Sequence, residues 1–201
     1  MKKTSLLSVT LLLTSVTAVG QSLTQADRER CQKYLEQTGA GVIEATKGLS
    51  EAQIKFKPAP DRWSVAETLE HIALAEDFLL HNITDTIMKA PTGPANRDTA
   101  KLDAMILAAV PDRSQKRQAP GPLVPTGRWT PTETLDHFQK SRAKTIAFLE
   151  STPDLREHAS DDNPFKQPMD AYEWLLFIAA HSERHTKQIL EVKADPNFPK
   201  K

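Results

Sequence analysis

Apolar side chains recur at helical spacing in four long stretches of this chain. The stretches cover residues 24–49, 64–89, 130–151 and 170–193. No segment alternates apolar and polar residues, as a half-buried strand would. Four long amphipathic helices must bury their apolar faces against one another. We therefore expect an all-α fold, a four-helix bundle without strands.

Residues with capping chemistry mark the starts of the second and third of these helices. Ser64 is followed three positions later by Glu67, and Thr130 is followed at the same distance by Glu133. Each pair matches a capping box, in which the two side chains bond each other's backbone N–H groups. Prolines interrupt residues 50–63, which we therefore expect to form a loop.

The connection between the second and third helices is long and irregular. It covers residues 91–129 and carries prolines at 111, 120, 122 and 125. A short helix is predicted from Leu102 to Ala109. A crossover of this length lets the next helix run in either direction along the bundle.

The first residues match a secretory signal peptide rather than part of the domain. Within residues 1–20, two lysines follow Met1 and an apolar run comes next. Ala18 and Gly20 then precede a predicted cleavage site before Gln21. The apolar run is shorter than the ~20 residues that a membrane span needs. We expect one domain, residues 21–201, without a membrane span, secreted or exported to the periplasm.

Charge and cysteine content narrow the function classes. The chain has 26 basic and 26 acidic side chains, so no basic excess favours binding to nucleic acid. Cys31 is the single cysteine, which excludes a disulfide within the chain. It lies on an apolar helical stripe, where we expect a buried structural thiol.

Helical periodicity sorts the histidines by the side of the helix on which they lie. His71 falls on the apolar side of the second helix, and His181 and His185 share an apolar stripe of the fourth. His81 and His137 fall on polar sides and are expected to be exposed. Three core-facing histidines plus a water are a common ligand set of catalytic zinc.

The spacing HxxxH does not by itself establish a metal site. Two imidazoles one helical turn apart can chelate one ion or can be ordinary core residues. Residues 181–185 read HSERH, and a zinc-protease motif needs glutamate where Ser182 stands. The protease interpretation is therefore excluded. Spacing leaves open whether the second and fourth helices are neighbours.

Three further residues are candidates for chemistry. Arg142 lies within the apolar stripe of the third helix, either as a structural partner of Glu67 or Glu76 or as an anchor for an anionic substrate. Gln188 shares the histidine face and could hydrogen-bond a metal-bound water or a substrate, or could simply orient one of the metal ligands. Glu67, one turn before His71, could support a metal ligand or act as a general base, or it could serve only as a helix cap.

Two stretches carry a resemblance to a known family, WSVAETLEHIALAED at 63–77 and DAYEWLLFIAAHSERHTKQILEVKADPNFP at 170–199. They resemble the DinB-like superfamily, and residues 123–152 are similar to its third helix. The resemblance implies a four-helix bundle with a divalent metal held by three histidines, at positions matching His71, His181 and His185. Homodimers are common in the family.

The resemblance leaves the activity open. Family members include thiol-dependent S-transferases, a mycothiol-dependent isomerase and proteins regarded as metal-dependent hydrolases. Our leading hypothesis is an exported hydrolase of a small-molecule substrate, with zinc first and nickel, manganese or iron as other candidates. One alternative is a non-catalytic bundle, stabilised by metal, that binds a ligand or partner. The other is an S-transferase, which an export signal disfavours.

Overall fold

A computed structural model describes residues 23–200. The predicted signal peptide, residues 1–20, lies outside the described residues. Within them, the helices are α1 (Gln25–Thr46), α2 (Glu51–Lys55), α3 (Val65–Asp85), α4 (Thr99–Ala109), α5 (Pro131–Ser151) and α6 (Ala171–Lys193). Two 3₁₀ turns, Ile87–Lys89 and Gly121–Leu123, complete the helical part.

The four long helices α1, α3, α5 and α6 form the bundle, which confirms the predicted fold class. α6 is the central helix, because it packs against α1, α3 and the shorter α4. α3 packs against α5 on its other side. None of the helices described between residues 23 and 200 is long and apolar enough to cross a membrane.

Capping boxes start α3 and α5, as the sequence predicts. The Ser64 hydroxyl accepts from the backbone N–H of Glu67, whose carboxylate accepts from the N–H of Ser64 in return. Thr130 and Glu133 make the same exchange at α5. Such caps satisfy donors that the first helical turn leaves unpaired, so they fix where each helix begins.

The region after α1 differs from the sequence prediction. The first helix ends at Thr46 rather than at residue 49, because the backbone becomes extended at Lys47, with φ of −63° and ψ of 133°, and Gly48 then takes a φ of +66°. A loop was predicted for residues 50–63, but its first part forms the 5-residue helix α2. Ser50 caps it, and Gln53 returns the bond in a capping box that sequence analysis overlooked.

A short strand pair was also unexpected. Strand β1 (Ala159–Ser160) pairs antiparallel with β2 (Met169–Asp170). Two residues per strand are too few to produce a visible alternation of apolar and polar positions. The pair closes the loop before α6, and Asp170 caps that helix.

The crossover between α3 and α5 is irregular, as predicted, but well anchored. Its short helix was expected from residue 102 and begins at Thr99 as α4. α4 buries Leu102 and Ile106 against the bundle. Further along, Leu123 is also buried. The crossover therefore forms an additional layer over α6.

Cys31 is the buried structural thiol that the sequence predicts. Its side chain is fully buried in the core of the bundle. Burial raises the pKa of the thiol to about 12. A thiol with such a pKa is protonated at neutral pH and is a poor nucleophile.

Candidate metal centre

His71 on α3 and the pair His181 and His185 on α6 converge between the two helices, which are packed neighbours. One ligand nitrogen from each ring lies within 4.8 Å of the other two. His71 Nε2 and His181 Nε2 are 3.2 Å apart, within hydrogen-bond distance. These three residues are called the histidine trio below. Their convergence answers the question that spacing left open.

Hydrogen bonds at the outer edge of two rings determine which nitrogen faces inward. The Nδ1–H of His71 donates to the Leu123 carbonyl over 2.8 Å. The Nδ1–H of His185 donates to the Gln188 side-chain oxygen over 2.9 Å. A carbonyl oxygen can only accept, so both Nδ1 atoms carry the proton. In a neutral ring each Nε2 then keeps its lone pair, which is the state that binds a metal.

The geometry of the trio fits one divalent ion. Two imidazole nitrogens that share a tetrahedral zinc at ~2.0–2.1 Å lie roughly 3.3 Å apart. The measured 3.2 Å between the Nε2 atoms of His71 and His181 agrees with that spacing. Imidazole donors suit zinc and also nickel, copper and iron.

The electrostatic setting keeps the trio neutral. Burial lowers the pKa of His71. Burial, followed by neighbouring rings of the trio, lowers the pKa of His181 and His185 well below the ordinary value. Nearby Arg184 acts in the same direction on both. Neutral imidazoles can take up a cation at pH 7 without first releasing a proton.

Aromatic side chains flank the trio on two sides. The Trp63 ring lies against His71 with centroids 4.9 Å apart. Phe177 stacks on His181 at 6.3 Å with planes 18° apart. Both rings are partly exposed. Apolar walls around a few convergent polar groups are typical of small-molecule sites.

The contacts of Arg142 favour the structural role over the anchoring of an anionic substrate. Its guanidinium makes paired 2.7 Å bonds to Glu76. Its other N–H groups donate to Ser182, the Leu35 carbonyl and Thr38. All five donors of an arginine are thus engaged. Arg142 is the buried structural tie between α1, α3, α5 and α6, and Glu76 rather than Glu67 is its partner.

Glu67 acts as a cap and surface ion-pair partner. One carboxylate oxygen accepts from the Ser64 N–H at 2.7 Å and the other from Lys57 at 2.9 Å. Burial alone would raise the pKa of Glu67, but these partners outweigh it and lower the pKa. Both oxygens are occupied and the group is a weak base, so the geometry does not support the general-base role.

Gln188 contacts a histidine of the trio directly. Its side-chain oxygen accepts from His185 Nδ1 and, at 3.2 Å, from Arg113 of the crossover. Among the roles considered for it, orienting a ligand is the one that the structure supports. Arg113 and Leu123 were not predicted, because both lie in the irregular crossover, where no periodicity indicates the direction of a side chain.

Two remaining helical histidines lie apart from the trio. The His81 side chain is 77% exposed, as predicted, and it bonds Asp85. His137 was expected to be exposed, but its side chain is only 35% exposed. It bonds Asp77 at 2.6 Å and stacks on Trp129 at 4.4 Å, and these two neighbours cover it.

Comparison with known proteins identifies the family of this chain. A family model described as the DinB superfamily matches residues 34–189. The chain belongs to the DinB superfamily. Its similarity to uncharacterized protein YuaE of Bacillus subtilis (strain 168) is 24% identity over 153 residues, covering 73% of this chain and 87% of YuaE.

A solved structure of the same fold extends over most of the DinB-superfamily chain. YfiT from Bacillus subtilis covers 89% of this chain and 93% of its own, with a TM-score of 0.56 and 15% identity. YfiT is described as a probable metal-dependent hydrolase with an unusual four-helix bundle topology. At this identity the similarity establishes the fold.

Proposed function

We propose that this DinB-superfamily protein is an exported, metal-dependent hydrolase of a small substrate. The histidine trio would bind one divalent ion, with zinc expected first. One observation carries the proposal: ligand nitrogens of three histidines from two helices lie within 4.8 Å of one another, and those of His71 and His181 are 3.2 Å apart. Three imidazole nitrogens that converge in this way are a common ligand set for one divalent ion.

The reaction class is supported by the site and by the description of YfiT as a probable metal-dependent hydrolase. A bound divalent ion supplies a water of lowered pKa and polarises a substrate oxygen. The chain's own contribution is positional. Leu123 and Gln188 orient two histidines, while Trp63 and Phe177 offer apolar surfaces to a substrate.

Export rests on the pattern of residues 1–20, with two lysines, an apolar run and small residues before the cut. We expect protein recovered from the periplasm or culture medium to begin at Gln21 when its N-terminus is sequenced. Recovery of an uncut chain in the cytoplasm alone contradicts export and leaves the metal site unaffected.

Metal content tests the site itself. His71→Ala, His181→Ala and His185→Ala should each abolish tight binding, because two imidazoles leave too few ligands for a stable site. His81→Ala and His137→Ala should keep the ion of the wild type. Elemental analysis of the purified proteins after dialysis measures the difference. Equal metal content in all five variants would refute the site.

Activity then separates the candidate functions. Metal-loaded protein should hydrolyse an ester or amide from a small-molecule panel, and His181→Ala should not. Transfer from a thiol conjugate without hydrolysis favours the S-transferase instead. Full metal loading with no turnover on any member of the panel favours a non-catalytic, metal-stabilised binder.

A further inference from the structure

The crossover is fastened to α6 beside the histidine trio. Arg184, which directly precedes a histidine of the trio, donates to the backbone carbonyls of Val110, Asp112 and Gln115. One buried side chain thus holds three points of the segment 110–128, called the crossover segment below. A guanidinium with several carbonyl partners is held in one orientation, so the crossover segment is fixed as well.

The far end of the crossover segment is fastened to α3 in a complementary way. Glu70, which is buried and also directly precedes a histidine of the trio, accepts from the backbone N–H groups of Thr126, Gly127 and Arg128 at 2.8–3.3 Å. A buried carboxylate is thereby satisfied by backbone donors. The hydrogen bonds of Arg184 and Glu70 together hold the crossover segment directly against the trio.

Arg113, in the crossover segment, reaches the trio through Gln188. Its Nη1 donates to the Gln188 oxygen at 3.2 Å, and its other groups pair with Glu191 at 2.6 and 2.7 Å. The same Gln188 oxygen accepts from His185 at 2.9 Å. A guanidinium can only donate. Arg113 therefore holds the amide oxygen, and not the amide NH₂, towards the histidine.

The direction of that amide decides the protonation of the ring. With the oxygen facing it, His185 must carry its proton on Nδ1 and leave Nε2 free for a metal. Without Arg113 the amide can rotate and offer its NH₂ group, which favours the opposite tautomer with Nε2–H. We propose that Arg113 is a positioning residue of the metal centre, setting the tautomer of His185 through Gln188.

This inference rests on the proposed function for the metal, but its structural basis is independent of activity. The alternative is that Arg113 serves only its ion pair with Glu191. Arg117→Ala is the matched control, since Arg117 is an exposed arginine of the same crossover segment and its loss removes the same charge. Gln188→Ala removes the relay itself.

Metal affinity by chelator competition is the first measurement. Removing a residue that orients a ligand typically weakens binding ~10–100-fold. Arg113→Ala should fall in that range and Arg117→Ala should match the wild type. The double variant Arg113→Ala/Gln188→Ala should bind no more weakly than Gln188→Ala alone, because both changes break one relay. If the affinity losses of the two single variants add up fully in the double variant, Arg113 does not act through Gln188.

The imidazole ¹⁵N spectrum of metal-free protein is the second measurement. His185 should show the Nδ1–H tautomer in the wild type and in Arg117→Ala, and a tautomer mixture in Arg113→Ala. An unchanged tautomer in Arg113→Ala overturns the inference. A wild type that binds no metal refutes the proposed function, whereas this spectrum still decides the role of Arg113.

Discussion

Helix α6 carries two buried polar clusters, and they are built in opposite ways. Near its start lies the ion-pair cluster, formed by Arg97, Arg156, Asp103, Asp170 and Glu173. There, guanidinium and carboxylate groups face each other at 2.8–3.2 Å. Towards the other end lies the histidine trio, whose rings are neutral and direct nitrogen atoms at one another.

The difference shows which buried cluster calls for a ligand. Buried charges that are paired and hydrogen-bonded meet one another's requirements, so the ion-pair cluster holds elements together without a guest. It joins α4, the loop before α6 and the start of α6. The trio offers lone pairs without an opposing charge, so a cation is the group that would complete it.

The largest effect that separates the clusters is expected at Arg156. Its guanidinium bonds Asp103 at 2.8 and 3.1 Å and Asp170 at 3.2 Å, and it lies over the Tyr172 ring. Arg156→Met removes the buried arginine partner of Asp103 and one of the two arginine partners of Asp170. We expect the free energy of unfolding to fall by roughly 3–5 kcal/mol, as measured by urea denaturation at pH 7.

A matched control is available beside the trio. Arg128 also pairs with a buried carboxylate, Glu70, but its side chain is 42% exposed and the carboxylate has three backbone partners. Arg128→Met should cost no more than about 1 kcal/mol. Similar losses of unfolding free energy in the two variants would mean that the ion-pair cluster does not stabilise the start of α6.

The sequence predicts the trio better than the ion-pair cluster, for a physical reason. Helical periodicity gives the direction of each side chain relative to its own helix, so three histidines could be assigned to buried faces. The partners of Arg156 lie in α4, in the cap of α6 and on its first turn. Pairing between a loop and a distant helix leaves no periodic signal.

The same limit explains what was missed around the metal centre. The Leu123 carbonyl that orients His71 is backbone, so no residue type could have indicated it. Arg142 was correctly placed in the core, but the choice between Glu67 and Glu76 needed the packing of α3 against α5. The resemblance to the family supplied the adjacency of α3 and α6 that spacing could not.

A smaller effect should show that the ion-pair cluster is not fully balanced. Burial and the neighbouring Asp170 carboxylate raise the pKa of Glu173 from its ordinary value of 4.5 to about 8, against the opposing pull of Arg97 and Arg156. Among the described residues, none hydrogen-bonds the Glu173 Oε1 atom. A protonated carboxyl group is the form that this surrounding favours.

The sign of the pH dependence follows from that raised pKa. Between pH 4.5 and 8 the folded chain keeps a proton that the unfolded chain releases, so stability falls as the pH rises through this window. Glu173→Gln mimics the protonated form, which does not titrate. The decrease in unfolding free energy between pH 5 and pH 9 should therefore be smaller in this variant than in the wild type, by about 1–3 kcal/mol. Urea denaturation at both pH values measures it.

Glu183 on the same helix provides a control of opposite sign. Burial alone would raise its pKa, but Lys187 and the Tyr34 hydroxyl outweigh burial and lower it. Its contribution is therefore lost as the pH falls through the lowered pKa, and Glu183→Gln should leave the change between pH 5 and pH 9 nearly as in the wild type. If Glu173→Gln also shows the wild-type change in unfolding free energy, Glu173 is ionised from pH 5 to pH 9. The ion-pair cluster is then fully charged, in contrast to the neutral trio.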